Sequence, residues 1–381
     1  MNDRPLIRSA PRILYVENVG WGFLTHRIAL ALAAKRAGYD VHVAVDVEKT
    51  EERAAIVSHG FSFHRLHLAR GLKGIAGDFR SCGEILALYK RLRPDVVHHV
   101  TVKPVIYGTL ASRLVPSIAV VNTVSGLGHL YVANDRRTRL LRLLASAGYR
   151  SAFARSKSWT IFQNDDDRRR FPTVANAVVI EGSGVDLERF GATEQPHGEI
   201  SVVLPARMLR EKGVVEFAHA ARALRVSGAP ARFYLAGIPD PANPGSLNEQ
   251  DLRELERDCG VEWLGYCADM PRLMRESSIV CLPSYYGEGV PKSLLEAAAT
   301  ARPIVTTDLP GCRQVVSHGR NGLLVPPRDV PALVGALRRL IENPALRMQL
   351  GTQGRAIAEL RFDVSRVNAQ TLAIYDKLVE A

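Results

Sequence analysis

The chain alternates short apolar segments with amphipathic helical segments, and glycine-containing turns separate many of them. This alternation restricts the fold more than any other feature, because strands that alternate with helices form a mostly parallel sheet covered on both faces. Two series of predicted strands follow one another. The first series comprises residues 12–16, 40–45, 95–100, 118–121 and 159–162. The second series comprises residues 200–204, 232–236, 261–264, 279–282 and 304–306.

The break between the two series lies at residues 187–199, and a length of 381 residues suits two domains. We therefore predict an α/β protein with two Rossmann-like, doubly wound domains that face each other across a cleft. The expected ranges are 1–190 for the first domain, 191–362 for the second, and 363–381 for a C-terminal helix that returns to the first. Ligands bind beyond the carboxyl ends of strands in such sheets, so we expect the site in the cleft.

The composition, 46% hydrophobic and 23% charged, is typical of a globular enzyme. Five cysteines without a C-x-x-C pair argue against zinc sites and a disulfide framework, and they fit a reducing cytoplasm. No apolar run reaches about 18 residues, and no apolar core follows the first residues. We therefore expect a cytoplasmic protein without a signal peptide or a spanning helix.

The net charge of +11 is concentrated in one half of the chain. Residues 1–195 contain 28 Lys and Arg against 18 Asp and Glu, whereas the remaining residues contain 22 against 21. This asymmetry predicts an anionic surface or ligand for the first half only. No nucleic-acid-binding motif accompanies the charge, so we expect no nucleic-acid partner and favour an anionic membrane surface.

Residues 134–157 combine basic and apolar side chains in one predicted helix. The basic residues include Arg136, Arg139 and Arg142, and the apolar residues are Leu140, Leu141, Leu143 and Leu144. A basic amphipathic helix of this kind can lie in a membrane interface. A surface helix with its leucines in the core explains the pattern equally well, and both interpretations stay open.

The segment from Ser284 to Glu296 is the strongest candidate for a binding site. Glu288 stands in a glycine-flanked loop after an apolar strand, and a helix is expected to begin at Pro291. The amides of Gly289 and Val290 at that helix start would favour a phosphate. Glu296 falls on the second turn of the helix. Two carboxylates beside a phosphate site suit a nucleotide-sugar. The simpler interpretation is that Glu288 caps the helix and that Glu296 is a solvated surface residue.

Arg207 and Lys212 follow the first strand of the second series. Two cations at a strand end can clamp a diphosphate and stabilise the charge of a leaving group, although a solvated basic loop has the same composition. In the first half, Gly20 and Gly22 form a turn that lacks the full G-x-G-x-x-G spacing. That turn either allows close strand–helix packing or lets the backbone approach a phosphate across the cleft.

His98 and His99 end a predicted strand, and side-chain alternation sends them to opposite faces of the sheet. At most one of them therefore reaches the cleft. A neutral imidazole there can bond a sugar hydroxyl or shape the reaction site, and we name His99 as a candidate catalytic residue. A structural histidine is an equal alternative for either residue.

Taken in order and spacing, these motifs resemble glycosyltransferase family 4, retaining enzymes of the GT-B fold that use nucleotide-sugars. The first half is similar to the branch that makes polysaccharides and lipid-linked oligosaccharides. In the second half the matching residues are Ala206, Arg207, Lys212, Gly213, Pro283, Ser284, Glu288, Gly289, Val290, Pro291, Glu296, Pro303, Pro310, Gly311 and Asn321. In the first half the matching segments are 23–27, 101–104 with Tyr107 and Gly108, 125–128 and 162–166. One departure is Ser183, where many members have Asn before Gly-Val-Asp.

The resemblance implies a role for each matching residue of the second half. Glu296 is expected to bind the ribose hydroxyls, and Glu288, with Ser284 and the amides after Glu288, to hold the donor sugar. Arg207 and Lys212 are expected to neutralise the diphosphate. Members of this family are thought to react without a clear protein nucleophile. The resemblance also implies no metal, because the two cations replace it, and no cofactor, because the nucleotide-sugar is a substrate.

The expected reaction is transfer of a hexose, with retention, from a nucleotide-sugar, a UDP-sugar by preference. The expected acceptor is a polyprenyl-diphosphate-linked glycan of a bacterial surface polysaccharide. Lys103 is then expected on the acceptor and membrane side, together with Arg136, Arg139 and Arg142. The protein is expected to associate peripherally with the inner face of the cell membrane. A nucleotide-sugar epimerase of the same architecture and a non-catalytic nucleotide-sugar-binding scaffold are the alternatives.

Overall fold

The structure is a computed structural model that describes residues 10–47, 49–68, 75–126, 136–155 and 157–380. The chain divides into two compact units. The first unit extends to Ile180 and also includes the residues from Asn368 onward, and the second unit extends from Glu181 to Val367.

The first unit contains a seven-stranded sheet in which every neighbouring pair of strands is parallel. The strand order is β3-β2-β1-β4-β5-β6-β7. The strands are β1 (Arg12–Val19), β2 (Asp40–Asp46), β3 (Ser62–Arg65), β4 (Val96–Val100), β5 (Ala119–Val124), β6 (Ser158–Phe162) and β7 (Ala177–Val179). The parallel α/β architecture predicted from the sequence is confirmed, and the short outer strands β3 and β7 are additions to the prediction.

The helices of the first unit follow the strands in the alternating order expected of a doubly wound sheet. They are α1 (Gly20–His26), α2 (Ile28–Arg36), α3 (Thr50–Ser58), α4 (Ile75–Leu92), a π-helical turn (Pro104–Gly108), α5 (Thr109–Ser112), α6 (Arg136–Phe153) and α7 (Asp165–Arg169). One expectation is wrong here. Gly20 and Gly22, which were predicted to form a turn, lie in the first turn of α1. Arg27, with φ of −123° and ψ of −13°, separates α1 from α2.

The second unit contains a six-stranded parallel sheet of order β10-β9-β8-β11-β12-β13. Its strands are β8 (Ile200–Pro205), β9 (Ala231–Ala236), β10 (Glu262–Gly265), β11 (Ile279–Leu282), β12 (Ile304–Thr307) and β13 (Gly322–Val325). Its helical elements are a 3₁₀ turn (Arg210–Lys212), α8 (Val214–Val226), α9 (Glu249–Cys259), α10 (Met270–Glu276), α11 (Lys292–Ala299), α12 (Pro310–Val315), α13 (Val330–Glu342), α14 (Pro344–Ile357) and a π-helical turn (Ala358–Phe362).

Both faces of the second sheet are buried, as alternation along its central strands requires. Val202 and Leu204 of β8 lie in one hydrophobic cluster, whereas Val203 between them lies in the other. A strand buried on both faces has a continuous apolar sequence, and such apolar segments are the pattern from which the strands were predicted. The helix α11 packs on the second of these clusters through Leu294 and Leu295.

The segment before β8 belongs to the second unit, although its first ten residues were expected in the first domain. Val185 and Phe190 are buried in the hydrophobic cluster beneath α11, which explains this placement. Arg355 adds a hydrogen bond of 3.1 Å from Nη1 to the carbonyl oxygen of Phe190. The last helix, α15 (Val364–Glu380), corresponds closely to the predicted C-terminal helix. Its later residues belong to the first unit, where the Tyr39 hydroxyl donates to Asp376 Oδ1 at 2.7 Å.

Candidate active site

The candidate site of the second unit lies at the carboxyl ends of β8 and β11, which are neighbours at the centre of the sheet. The strand order reverses at this point, with β9 and β10 on one side and β11 to β13 on the other. Such a switch point is where doubly wound sheets bind their ligands. The loop with Arg207 and Lys212 follows β8, and the loop with Ser284 and Glu288 follows β11.

Gly213 allows these two loops to meet. It caps α8 in the left-handed conformation with φ of 77°, and a Cβ atom there would lie 2.2 Å from the carbonyl oxygen of Pro283. Two hydrogen bonds to the carbonyl oxygen of Glu211 join the loops, from the Tyr285 amide at 2.8 Å and from Ser284 Oγ at 3.1 Å. The absence of a side chain at Gly213 therefore positions Lys212 directly beside the second loop.

Glu288 is the centre of the polar contacts in this site. Its Oε2 accepts a hydrogen bond from Lys212 Nζ at 2.5 Å, and its Oε1 accepts one from Ser284 Oγ at 2.6 Å. The Lys212 and Glu288 side chains are only 13% and 12% exposed, so the ion pair is largely desolvated. The structure thus brings together three residues that the sequence placed in one site, and it pairs the expected diphosphate-binding lysine with a carboxylate.

Arg207 is also paired with a carboxylate. Its Nη1 lies 2.5 Å from Oδ2 of Asp240, a residue that the sequence analysis did not identify. Asp240 follows β9, the neighbour of β8, and the carboxyl ends of parallel strands meet at one edge of a sheet. The sequence signal that could have identified Asp240 is its position shortly after a predicted strand.

Glu296 lies on the second turn of α11, as predicted, and is buried rather than solvated. It is 7% exposed, and its Oε1 lies 3.9 Å from Nζ of Lys292. Burial raises the pKa of Glu296 from 4.5 to about 7, while the charges of Lys292 and Arg189 act in the opposite direction. Burial also lowers the pKa of Lys292. A carboxylate kept in such a position is suited to accept hydrogen bonds from hydroxyl groups.

The start of α11 differs from the prediction. Pro291 is the N-cap, with φ of −65° and an extended ψ of 121°, and the helix begins at Lys292. Gly289 and Val290 therefore belong to the preceding loop and not to the first helical turn. Because the extended backbone of Pro291 separates them from α11, the first-turn amides that favour an anion begin at Lys292.

In the first unit, Gly20 and Gly22 each lie against a carboxylate. A Cβ atom at Gly20 would be 2.6 Å from Glu52 Oε2, and one at Gly22 would be 2.8 Å from Glu17 Oε1. This placement supports the packing interpretation of the two glycines. Their assignment to donor phosphates stays a prediction, and negative charge beside both backbones disfavours it.

The two histidines of β4 are buried, and all their ring nitrogens have partners. His98 contacts the Tyr375 hydroxyl at 2.5 Å and Thr123 Oγ1 at 2.6 Å. His99 contacts the Tyr89 hydroxyl at 2.6 Å and Asn122 Oδ1 at 2.9 Å, and burial lowers the pKa of His99 to about 4. A fully enclosed imidazole with both nitrogens bonded cannot reach a substrate without rearrangement. These contacts argue against His99 as a catalytic residue and favour the structural alternative.

The outer surface of α6 combines exposed cations with exposed leucines. Arg139 is exposed and Arg142 is half-buried, while Leu143 and Leu144 are 66% and 62% exposed. These two leucines are thus outside the core, contrary to the simpler interpretation of the helix. The side chain of Arg136 lies outside the described residues. Lys103 is not part of an exposed basic surface, because its Nζ donates to Asp78 Oδ1 at 2.8 Å and its side chain is 14% exposed.

No group of three or more His, Cys, Asp or Glu side chains within the described ranges is arranged to hold a metal ion. Within the same ranges, every helix is too short or too polar to cross a bilayer.

Comparison with known proteins places both halves of the chain among glycosyltransferases. Residues 12–157 match the family profile "Glycosyl transferase 4-like", and residues 199–343 match "Glycosyl transferases group 1". HepE of Anabaena, solved with UDP and glucose, superimposes with a TM-score of 0.77 at 20% identity, over 96% of this chain and 99% of HepE. The fold and the two profiles thus define a GT-B glycosyltransferase.

Curated relatives refine this class. An N,N'-diacetylbacillosaminyl-diphospho-undecaprenol alpha-1,3-N-acetylgalactosaminyltransferase of Campylobacter jejuni is 28% identical over 76% of this chain and 79% of its own length. A UDP-Gal:alpha-D-GlcNAc-diphosphoundecaprenol alpha-1,3-galactosyltransferase of Escherichia coli is 23% identical over 71% and 72%. The chain belongs to glycosyltransferase family 4, and these relatives give no support to the epimerase alternative.

Proposed function

We propose that this glycosyltransferase transfers a hexose, with retention, from a UDP-sugar to a polyprenyl-diphosphate-linked saccharide. The contact that carries the proposal is the buried Lys212–Glu288 pair at 2.5 Å, supported by Ser284 and positioned at the switch point of the second sheet. One carboxylate for sugar hydroxyls and one cation for phosphate stand side by side there. A sugar diphosphate presents the complementary groups, namely hydroxyls that donate to a carboxylate and phosphates that accept from a cation.

The ion pairs leave donors available for a diphosphate. An ammonium group has three N–H donors and a guanidinium has five, so Lys212 and Arg207 can keep Glu288 and Asp240 as partners and still donate to phosphate oxygens. Because a carboxylate oxygen can accept more than one hydrogen bond, Glu288 can stay paired with Lys212 and also accept a hydrogen bond from the donor sugar. Charge that develops on the leaving diphosphate is then stabilised by groups already in position.

The donor nucleoside is assigned to α11 and its surroundings. Glu296 has the position, the burial and the neighbouring cations of a carboxylate that accepts hydrogen bonds from the two ribose hydroxyls. The choice of uridine follows from HepE, which was solved with UDP, and from the Escherichia coli relative, whose name specifies a UDP-sugar.

The acceptor and the location are inferred from the relatives and from α6. Both relatives described above are named for undecaprenyl-diphosphate-linked acceptors, which are membrane lipids. The exposed Leu143 and Leu144 beside Arg139 and Arg142 are suited to an anionic membrane surface, with apolar insertion and electrostatic attraction acting together. We therefore infer a peripheral enzyme on the cytoplasmic face of the cell membrane.

The test is acceptor-dependent release of UDP from a panel of UDP-sugars, with an extract of bacterial membrane lipids as acceptor. We expect Glu288→Gln to lower kcat about 10²- to 10³-fold, as removal of one preorganised charged group does in other enzymes. The matched control is Glu276→Gln, an exposed carboxylate that is ion-paired with Arg272 outside the site. Full transfer by Glu288→Gln would contradict the proposal.

Two further measurements in the same assay separate the finer statements. Because Arg207 and Lys212 supply the positive charge, we propose that no metal is needed and expect EDTA to leave the rate unchanged. The anomeric configuration of the product, read by NMR, tests retention. Interconversion of the UDP-sugar without acceptor would instead indicate an epimerase, and tight donor binding without turnover would indicate a scaffold.

A further inference from the structure

The loop after β11, which carries Glu288, is fixed at its start from two sides. The Tyr285 amide and Ser284 Oγ both donate to the carbonyl oxygen of Glu211, in the loop after β8. On the other side, the Thr307 hydroxyl at the end of β12 donates to the carbonyl oxygen of Ser284. These bonds involve only the backbone of Tyr285, so the position of its ring depends on another contact.

Arg328 supplies a contact to this ring. Its guanidinium carbon lies 4.2 Å from the centroid of the Tyr285 ring, so the planar cation lies directly over the aromatic face. Arg328 follows β13, which is separated from β11 by β12 in the sheet. Neighbouring strands lie about 5 Å apart, so a contact that spans two of them requires a long side chain.

The backbone of Arg328 is strained, and its side chain offers the reason. Residues 326–329 form a turn that is closed by a hydrogen bond of 3.4 Å from the Asp329 amide to the carbonyl oxygen of Pro326. Arg328 occupies the third position of this turn with φ of 61°. A turn with proline at the second position and positive φ at the third favours glycine there, because a Cβ atom disfavours the left-handed conformation. An arginine in place of glycine therefore requires a local reason, and the contact with Tyr285 supplies one.

The strained backbone and the ring contact have opposite effects on stability. A left-handed conformation costs an arginine about as much free energy as a cation–π contact at a partly exposed ring contributes. Arg328 is exposed and Tyr285 is half-buried, so the contact is of this partly exposed kind. The two effects nearly cancel in the free energy of unfolding, and what remains is a fixed position for one aromatic ring.

Tyr285 lies between the two residues that orient Glu288. On one side, Ser284 Oγ donates to Glu288 Oε1 at 2.6 Å. On the other side, the carbonyl oxygen of Tyr286 accepts a hydrogen bond of 2.8 Å from the Glu288 amide. A change in the backbone of Tyr285 would therefore displace the partners of both the carboxylate and the amide of Glu288.

We propose that Arg328 is a positioning residue for Glu288: its guanidinium fixes the Tyr285 ring and thereby holds the 284–288 loop in the geometry that the donor sugar requires. This inference rests on the proposed transferase function, and it adds a residue that acts through Tyr285 without contacting the donor. Other residues are assigned to the nucleoside and the diphosphate. Loss of the Arg328 contact should therefore affect turnover and leave the binding of UDP unchanged.

The kinetic test compares wild type, Arg328→Gly, Tyr285→Ala and the double variant in the UDP-release assay. Arg328→Gly removes the ring contact and the backbone strain together. We expect each single variant to lower kcat about 3- to 30-fold, the range to which a cation–π contact corresponds, with the affinity for UDP unchanged. The double variant should lose no more than Tyr285→Ala, because both substitutions break one contact. Tyr285→Phe keeps an aromatic ring beneath the guanidinium and should restore kcat to within about threefold of wild type.

The matched control is Arg93→Gly in the first unit. Arg93 also has a positive φ, 48°, so its replacement by glycine relieves the same kind of strain far from the 284–288 loop in the sequence. This variant should leave kcat unaltered.

A measurement without substrate separates this inference from the transferase function. Hydrogen exchange, read by mass spectrometry on a peptide that contains residues 284–290, reports the opening of the loop. We expect this peptide to exchange about 3- to 30-fold faster in Arg328→Gly than in wild type, while the midpoint of urea unfolding stays unchanged or rises. Faster exchange with an unchanged midpoint supports the role of Arg328 in the loop even if no UDP-sugar is turned over.

Four results would overturn the assignment and leave the transferase function standing. They are a wild-type exchange rate in Arg328→Gly, a wild-type kcat in the same variant of an active enzyme, additive losses of kcat in the double variant, and an equal loss of kcat in Arg93→Gly. A lower urea midpoint together with weaker binding of UDP in Arg328→Gly would also overturn it, because Arg328 would then be a residue of general structural importance.

Discussion

Replacing Glu296 with Gln should stabilise the unliganded protein at alkaline pH and weaken its binding of UDP. The reason is the buried position of this carboxylate, whose pKa rises from 4.5 to about 7 in the folded state. A raised pKa means that the folded protein binds a proton more tightly than the unfolded chain between these two values. Stability therefore falls as pH rises from about 4.5 to 7, and the full penalty is present above pH 7.

The magnitude follows from the size of this shift. At about 1.4 kcal/mol per pKa unit, ionised Glu296 lowers the free energy of unfolding by about 3 kcal/mol at pH 8 and by less than about 1 kcal/mol at pH 5. The amide of Gln resembles the protonated acid in size and charge, so it escapes the penalty at both pH values. The attraction of Lys292 and Arg189 is already contained in the shifted pKa and needs no separate correction.

Urea unfolding of wild type and Glu296→Gln at pH 5 and pH 8 measures this difference, and isothermal titration with UDP measures binding. We expect the variant to be more stable by up to about 3 kcal/mol at pH 8, with the gain largely lost at pH 5. UDP should bind about 10- to 150-fold more weakly, the cost of removing a charged partner from ribose hydroxyls. An equal stability change at both pH values, or a wild type more stable at pH 8, would refute the reasoning.

Three further predictions concern other parts of the chain. Lys212→Ala should lower kcat about 10²- to 10³-fold in the UDP-release assay, while Lys90→Ala on the outer part of α4 should not change it. Gly213→Ala should lower the free energy of unfolding by about 2 kcal/mol or more, because alanine is strained at φ of 77° and its Cβ would meet the Pro283 carbonyl; unaltered urea unfolding would contradict this. Replacing Leu143 and Leu144 together with Ser should weaken co-sedimentation with phosphatidylglycerol vesicles roughly tenfold and leave turnover of a detergent-solubilised acceptor unaffected.

The alternation of strands and helices was sufficient to predict the architecture, because each central strand is buried on both faces and therefore has an uninterrupted apolar sequence. Outer strands lack this signature. β3 carries exposed and half-buried residues, and β7 has only three half-buried residues. The position of an outer strand in the sheet depends on residues that are distant in the sequence. The hydrophobic periodicity within that strand therefore does not predict it.

The candidate site was predictable in part for the same reason. Glu288, Lys212 and Ser284 stand near the ends of predicted strands, and the topology brings them into contact. The partner of Arg207 was missed because Asp240 comes from a third strand, and its pairing depends on the strand order. The helix start was assigned one residue early, since proline suits both the N-cap and the first helical position, and only the ψ of 121° distinguishes them.

Glu17 shows most clearly what a sequence pattern cannot contain. In a strand of continuous apolar character, a single glutamate is most simply interpreted as a residue at the edge of the core. The structure instead encloses it with Arg27, leaves polar atoms of both without partners, and places the bare backbone of Gly22 against the carboxylate. Glu296 in the other unit has the same combination of burial and a pKa raised to about 7. Each unit thus keeps one buried carboxylate whose pKa is raised by burial, and this cost to the ionised form follows from tertiary packing that the sequence periodicity does not reveal.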